Sequence, residues 1–235
     1  MILLGKPLLE YTTSTNGVPD DTGWTVLDTP KDGTTSINTT EGTDVEALEE
    51  GGEVVDRIAQ SSKYGVAFEL YKKMGMAFPL ADNEFSGVVS GEYALRVRSA
   101  VNDEAPGFQL DRCTVKTARQ YASGDGYRKA YTFSGLKPNS GDTVKDIEGH
   151  ALSFTKAADT TGKTVTAIEE GMVVTIPTEA SWITSATFGT GASAKTLTVK
   201  VGANSESSAP AREATIICRG KSNMMLVKVH QDANV

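Results

Sequence analysis

"TLTVKVGANSESSAPAREATIICRG" (residues 196–220) holds two alternating runs separated by a polar break. Leu197, Val199 and Val201 alternate with Thr198 and Lys200, and after the Ser/Ala/Pro-rich interval Ala214, Ile216 and Cys218 do the same. A period of two is the mark of a half-buried strand, so this stretch reads as two strands joined by a solvated loop. The same grammar spreads outward over about 85 residues: ALSF, KTVTAI, MVVTIP, ASWIT, KTLTVKV, REATIICRG and MMLVKVHQ follow one another with turns between them. Seven short strands at that spacing predict an immunoglobulin-like sandwich.

Upstream, period two persists. Val66, Phe68 and Leu70 share a phase, as do Tyr93, Leu95 and Val97, which puts Arg96 and Arg98 on the opposite face. In GFQLDRCTVKTARQY, Phe108 and Leu110 fall out of phase with Cys113 and Val115. A β-bulge at Asp111 and Arg112 would return both pairs to one face. Asp125-Gly126 supplies a turn pair tolerant of positive φ, with Tyr127, Tyr131 and Phe133 in phase beyond it, which predicts a hairpin. The best helical candidate, DVEALEEGGEVVDRIAQ, contains Gly51-Gly52, which would cost about 2 kcal/mol in a helix interior. It reads instead as a loop entering a strand near 53–60 that pairs with 64–72. The chain is therefore expected to be all-β.

The 235 residues suffice for two modest cores. A turn cluster, Pro138-Asn139-Ser140-Gly141-Asp142, and a charge contrast both suggest division into residues 1–149 and 150–235. The first part carries 23 acidic against 15 basic side chains, the second 7 against 8. Residues 1–56 hold 12 acids with only Lys6 and Lys31 as bases, a balance that repels nucleic acid. Within them lies an acidic run, Glu41, Asp44, Glu46, Glu49, Glu50, Glu53 and Asp56. The Thr-, Asp- and Gly-rich segment from Tyr11 to about Glu53 is too long for an ordinary loop. It is expected to be disordered or to be ordered by a partner chain.

No run approaches the ~18 apolar residues of a membrane span. The apolar opening MILL is cut short by Gly5, Lys6 and Pro7, so synthesis in a cytoplasm without export is expected. Cys113 and Cys218 fall in different modules and in strand-like runs, which points to buried thiols rather than a disulfide.

Residues 150–235 resemble the BACON family, an immunoglobulin-like module associated with Bacteroidetes, through Trp182 in ASWIT, Asn204 after LTVKV, Arg212 and Ala214 in REATI, and Gln231 closing the last strand. That resemblance implies a sandwich and raises a glycan of host or mucus as a ligand. Residues 1–149 are similar in layout to the tail-tube, or major tail, proteins of long-tailed bacteriophages of Bacteroidetes hosts. GWTVLDTPKDGTTSINTTEGTDVEALEEGGEVV gives the acidic loop before a hairpin, and GFQLDRCTVKTARQYASGDGYRKAYTFSGLKPNSGDTV the hairpin with a Leu-Lys-Pro exit. This likeness implies a tube-type β-sandwich or partial barrel that forms hexameric rings and stacks, with other tail proteins as partners and phage DNA passing through unbound. The protein would reside in the virion tail, its second module facing outward. The acidic run would then lie at the bore, at a contact with the next ring, or in solvent. Alternatives are a carbohydrate-binding surface protein, a tail terminator, or the tube of an injection machine.

Catalytic chemistry finds no constellation, and an enzyme, a cofactor and a metal are not expected. His150 and His230 are far apart in sequence. TTGKT at 160–164 has Ala157 where a phosphate loop needs its first glycine, GTGASA at 189–194 has no helix after it, and DTPKDG at 28–33 has Pro30 where a calcium loop needs an acid. Asn38-Thr39-Thr40 matches a glycosylation triplet only by pattern. Trp182 could stack on a sugar, but a tryptophan in this strand of a sandwich belongs to the core.

Overall fold

The computed structural model describes residues 6–81, 86–206 and 208–234; the apolar opening at residues 1–5 lies outside them. Ten strands come first: β1 (Pro7–Thr15), β2 (Val18–Pro19), β3 (Thr25–Val26), β4 (Ser36–Thr40), β5 (Asp44–Leu48), β6 (Val54–Ala59), β7 (Lys63–Tyr71), β8 (Val88–Ser99), β9 (Gly107–Ala122) and β10 (Gly126–Gly135). After the loop at 136–143 come β11 (Val144–Phe154), β12 (Asp159–Thr166), β13 (Val173–Thr175), β14 (Ile183–Phe188), β15 (Thr196–Val201), β16 (Arg212–Arg219) and β17 (Asn223–Gln231). Among the described residues the only helical turns are two short 3-10 pieces, Thr178–Ala180 and Gly191–Ser193.

The first module is one antiparallel sheet in the order β4-β7-β10-β9-β8-β1, with β2 and β3 on the outer edge of β1. Its inner face gathers Leu9, Val66, Phe68, Leu70, Leu95, Val97, Leu110, Cys113, Val115, Tyr131 and Phe133 into one core, where Phe68 stacks on Tyr131 and Phe133. The sheet does not close into a barrel, since β4 and β1 do not pair. The bulge lies where the sequence puts it. Tyr93 pairs with Cys113 and Leu95 with Leu110, so β9 has one residue more than β8 over that interval. The extra residue lets Leu110, Cys113 and Val115 share the core and turns Asp111 to the other face. The Asp125-Gly126 hairpin also forms, with Gly126 at φ 74°.

The second module is a two-layer sandwich. β13-β16-β17-β11 faces β12-β15-β14 across a core that includes Phe154, Ile183, Leu197, Val199, Ile216, Cys218, Val227 and Val229. Strand β11 joins the modules. Its first residues, Val144–Ile147, run antiparallel to β9, and Asp146–Phe154 run parallel to β17, so one twelve-stranded sheet crosses both modules. The point between residues 149 and 150 is thus inside a strand, with two large cores on either side and a small third cluster, Ile147, Ile217, Met224 and Leu226 with Trp24 against it, at the seam. Both cysteines are free and buried.

Two expectations are corrected. Residues 54–59 pair with 44–48 rather than with 64–72; β7 pairs instead with β4 and β10. Alternation identifies a strand but not the neighbour that takes it. The segment from Tyr11 to Glu53 also divides. Its first half is ordered on its own module: β1 pairs with β8 over seven positions, the Leu27 amide donates to Leu9 at 2.8 Å, and the Lys31 amide donates to Glu69 at 2.8 Å. Strand β4 is ordered there too, on β7, and only the stretch from Asp44 onward stands apart.

Candidate functional site

That stretch runs on to Ala59 as a two-stranded ribbon, β5 and β6, and every residue of both strands is exposed. Cα partners share a face, so Val45 with Ile58 and Ala47 with Asp56 form one side. Asp44 with Ala59 and Glu46 with Arg57 form the other. A bulge opposite Ala47 and Leu48 leaves Val55 without a cross-strand partner. Gly51 and Gly52, at φ 119° and 89°, make the turn, which the Glu49 amide closes on the Glu53 carbonyl at 2.9 Å. At the base, β5 continues β4 and β6 continues into β7, and the strands approach so closely that a Cβ on Gly42 would meet the Gln60 carbonyl oxygen at 1.9 Å.

The ribbon carries two kinds of surface. Glu41, Asp44, Glu46, Glu49, Glu50, Glu53 and Asp56 all lie on it or at its base, all exposed. Arg57 is the one base there, paired with Glu46 and lying 3.7 Å from Asp44. Beside these charges Val45, Leu48, Val54, Val55 and Ile58 are 47 to 65 % exposed. A lone ribbon of this kind is marginally stable in water because nothing covers either face. Covering the exposed half of each of those five side chains would contribute roughly 1 kcal/mol apiece. The acidic run was legible as a run; the apolar residues interleaved with it were not singled out by sequence, because each is an ordinary strand residue until its neighbours are known.

A second feature lies at the open side of the first sheet. A cleft of about 780 Å³ is lined by Lys6 and Pro7 at the start of β1, Thr29 to Gly33 in the following loop, Ser36 and Ile37 of β4, and Val97 and Phe108. Strands β1 and β4 both contribute to it, β1 with its outer edge already taken by β2 and β3, and Val97 belongs to the core, so the cleft reaches the interior.

The seam between modules holds a buried charge network that sequence did not reveal. Asp111, 1 % exposed, sits 3.0 Å from Lys145 and 2.9 Å from Arg219, and accepts a hydrogen bond from Gln109 at 2.5 Å. Arg219 also reaches Asp21 at 2.5 Å. Arg96 donates to Gln109 at 2.9 Å and stacks on Trp24 at 3.8 Å; burial brings its guanidinium down to about 10, with Glu10 opposing the shift. Arg98 grips Glu10 through two bonds of 2.9 and 3.1 Å. Arg96 and Arg98 alternate with core residues as expected, but Trp24 of the same module covers Arg96, and Thr175, Pro177, Thr215 and Ile217 of the second module face both across a small cavity.

The residues behind the BACON resemblance form a structural knot. The Arg212 guanidinium lies 4.8 Å from the Trp182 ring and donates to Gln231, Gly202 and Ala203. Gln231 donates to Thr155, Ala157 and Gly202, and Asn204 to Pro210 and Asp232. Trp182 packs against the core, its ring engaged by arginine. No aromatic side chain of residues 150–234 is among the exposed large apolar residues described.

The remaining sequence features fall in structural roles. TTGKT lies within β12, Asn38 lies in β4, and Lys31 of DTPKDG pairs with Asp125 at 2.5 Å. His230 contacts Glu213 at 3.1 Å and Asp232 at 3.4 Å, and His150 lies on β11. No group of three or more metal-ligating side chains occurs among the described residues, and none of their helices is long and apolar enough to cross a membrane. No family model matches the chain, and no curated protein matches it significantly.

Proposed function

We propose that this chain is a structural subunit that assembles with copies of itself, and that the assembly is the tail tube of a long-tailed bacteriophage, with the immunoglobulin-like module on its outside. One observation carries the self-assembly reading: an acidic ribbon with five half-exposed aliphatic side chains leaves the first sheet and packs on nothing within its own molecule. Such a surface is stable when a partner covers it and a liability when none does. The tube reading adds the layout resemblance of residues 1–149 and the acidic balance of the first module, which would let phosphate pass without adhering. The fused second module fits an exterior position, where it leaves a bore open.

A glycan-binding role draws no support from Trp182, whose ring is engaged by Arg212. The testing experiment is sedimentation velocity with negative-stain microscopy of the wild type and of a variant in which residues 44–59 are replaced by a short glycine-serine turn. The wild type is expected to form rings or tubes at high concentration and the variant to remain monomeric. A wild type that stays monomeric under all conditions, including added tail-initiating components, would defeat the reading.

A further inference from the structure

Arg96 is the buried cation of the seam that has no carboxylate to itself. We propose that the cavity between the modules, bounded by Arg96, Trp24, Pro177 and Ile217, is a binding site for a small monocarboxylate with a short apolar tail, of the size of propionate. Such a site is independent of how copies of the chain assemble.

The guanidinium decides the sign of the charge. Arg96 is 3 % exposed, and its Nε donates to Gln109 at 2.9 Å. Its Nη2 nitrogen, also buried, has no hydrogen-bond partner among the described residues. Nη1 lies 3.7 Å from Glu10, beyond hydrogen-bond reach. Glu10 already accepts from Arg98 through both of its oxygens, so one carboxylate stands between two arginines. Asp21 is engaged by Arg219, and Asp111 by Arg219 and Lys145. Buried charges are ordinarily paired, because leaving one without a counter-charge is costly. Water would satisfy the idle donors and bring no charge. An anion does both.

The rest of the lining narrows the ligand. The Nε edge of Arg96 is spent on the fully buried Gln109, while the Nη end lies beside Glu10, which lines the cavity, so the Nη end is what Arg96 presents to the space. Trp24 stacks on the guanidinium at 3.8 Å and fixes its plane. A guanidinium held in this way matches the planar oxygens of a carboxylate. Ile217, Pro177 and Trp24 offer carbon to a short tail, and Thr175 and Thr215 add hydroxyl groups. The cavity is about 270 Å³, smaller than the about 300 Å³ at which pockets for drug-sized ligands begin, so the ligand has few heavy atoms. Glu179, exposed on the 3-10 turn, also lines it and disfavours a dianion such as hydrogen phosphate.

The test is titration of the dilute full chain with sodium propionate, read by tryptophan fluorescence because Trp24 forms one wall, with sodium chloride and inorganic phosphate titrated in parallel. Propionate is expected to give a saturable change with a midpoint in the roughly millimolar range, as suits so small a ligand, and the other two anions none. Trp24→Phe should remove the signal, which separates it from Trp182. Arg96→Met should weaken binding by roughly tenfold or more. Because a buried substitution can disturb folding, Glu179→Gln at an exposed position gives a second readout: removal of a like charge should tighten binding roughly threefold. No saturable change with propionate would overturn the site, since water then suffices for Arg96. An equal response to chloride or phosphate would overturn the carboxylate. A response that survives Arg96→Met or Trp24→Phe, or that Glu179→Gln fails to tighten, would put the ligand elsewhere and overturn the assignment as well.

Discussion

Asp111 shows how much a single side chain settles here. It lies at the bulge, faces away from the core and is the shared counter-charge of Lys145 and Arg219. Asp111→Ala would strip the buried Lys145 of its counter-charge and leave the half-buried Arg219 with Asp21 alone, and a loss of roughly 3 kcal/mol is expected in urea unfolding, with Asp111→Asn losing less because an acceptor remains. The bulge was legible because two apolar pairs were out of phase. The charge anchor was not, because Arg219 lies 108 positions away and no local period links the two. Arg96 and Arg98 make the same point: alternation gives their face but cannot say that Trp24 lies over Arg96 or that a second module faces both. The buried thiols yield a second prediction at this scale. Burial pushes the Cys218 thiol up to about 12 and the Cys113 thiol upward as well. The native protein should therefore resist a thiol-specific reagent at neutral pH and release two reactive thiols in denaturant. An unfolded thiol ionises near pH ~8.5 while the folded one stays protonated, so above that pH the unfolded state binds fewer protons and stability falls. Unfolding free energy should be independent of these groups below about pH 8.5 and then decline toward pH 12 by roughly 1.4 kcal/mol per pH unit for each thiol.

At the scale of elements, the ribbon and the knot behave in opposite ways. Substituting Val45 or Ile58 by Asp removes exposed carbon whose main neighbour in the isolated chain is its own cross-strand partner, so monomer stability should change by no more than about 0.5 kcal/mol while association is lost. Gln231, fully buried, instead donates to three carbonyl groups and accepts from Arg212. Gln231→Ala should destabilise by roughly 2–3 kcal/mol through the unsatisfied groups it leaves, measured by denaturant unfolding. Trp182, Asn204, Arg212 and Gln231 stood out in the sequence only by their order along the chain; their bonding to one another and to nearby carbonyls is seen in the structure. Gly51-Gly52 was legible as a break in any helix. That it closes a free-standing hairpin depended on which strand β6 would choose, and two strands of similar alternation compete for that choice.

For the whole molecule, the shared sheet and the polar seam make the two modules one mechanical unit. Strand β11 belongs to both, and Asp111–Arg219, Asp21–Arg219 and Asp103–Lys228 cross between them. Calorimetry should show a single cooperative transition, and residues 1–149 alone should aggregate, since truncation uncovers Trp24, Arg96, Asp111 and Ile147; two well-separated transitions would show that the seam couples the modules weakly. An outer module fixed this rigidly would hold a constant attitude in every subunit of a polymer. The proposed assembly rests on the ribbon, and hydrogen exchange over residues 44–59, followed as concentration is raised, tests that most directly. The account predicts amides that exchange almost without protection in the dilute monomer and slow by roughly a hundredfold or more on assembly. A ribbon equally unprotected in the assembled protein, or already protected in the monomer, would contradict it.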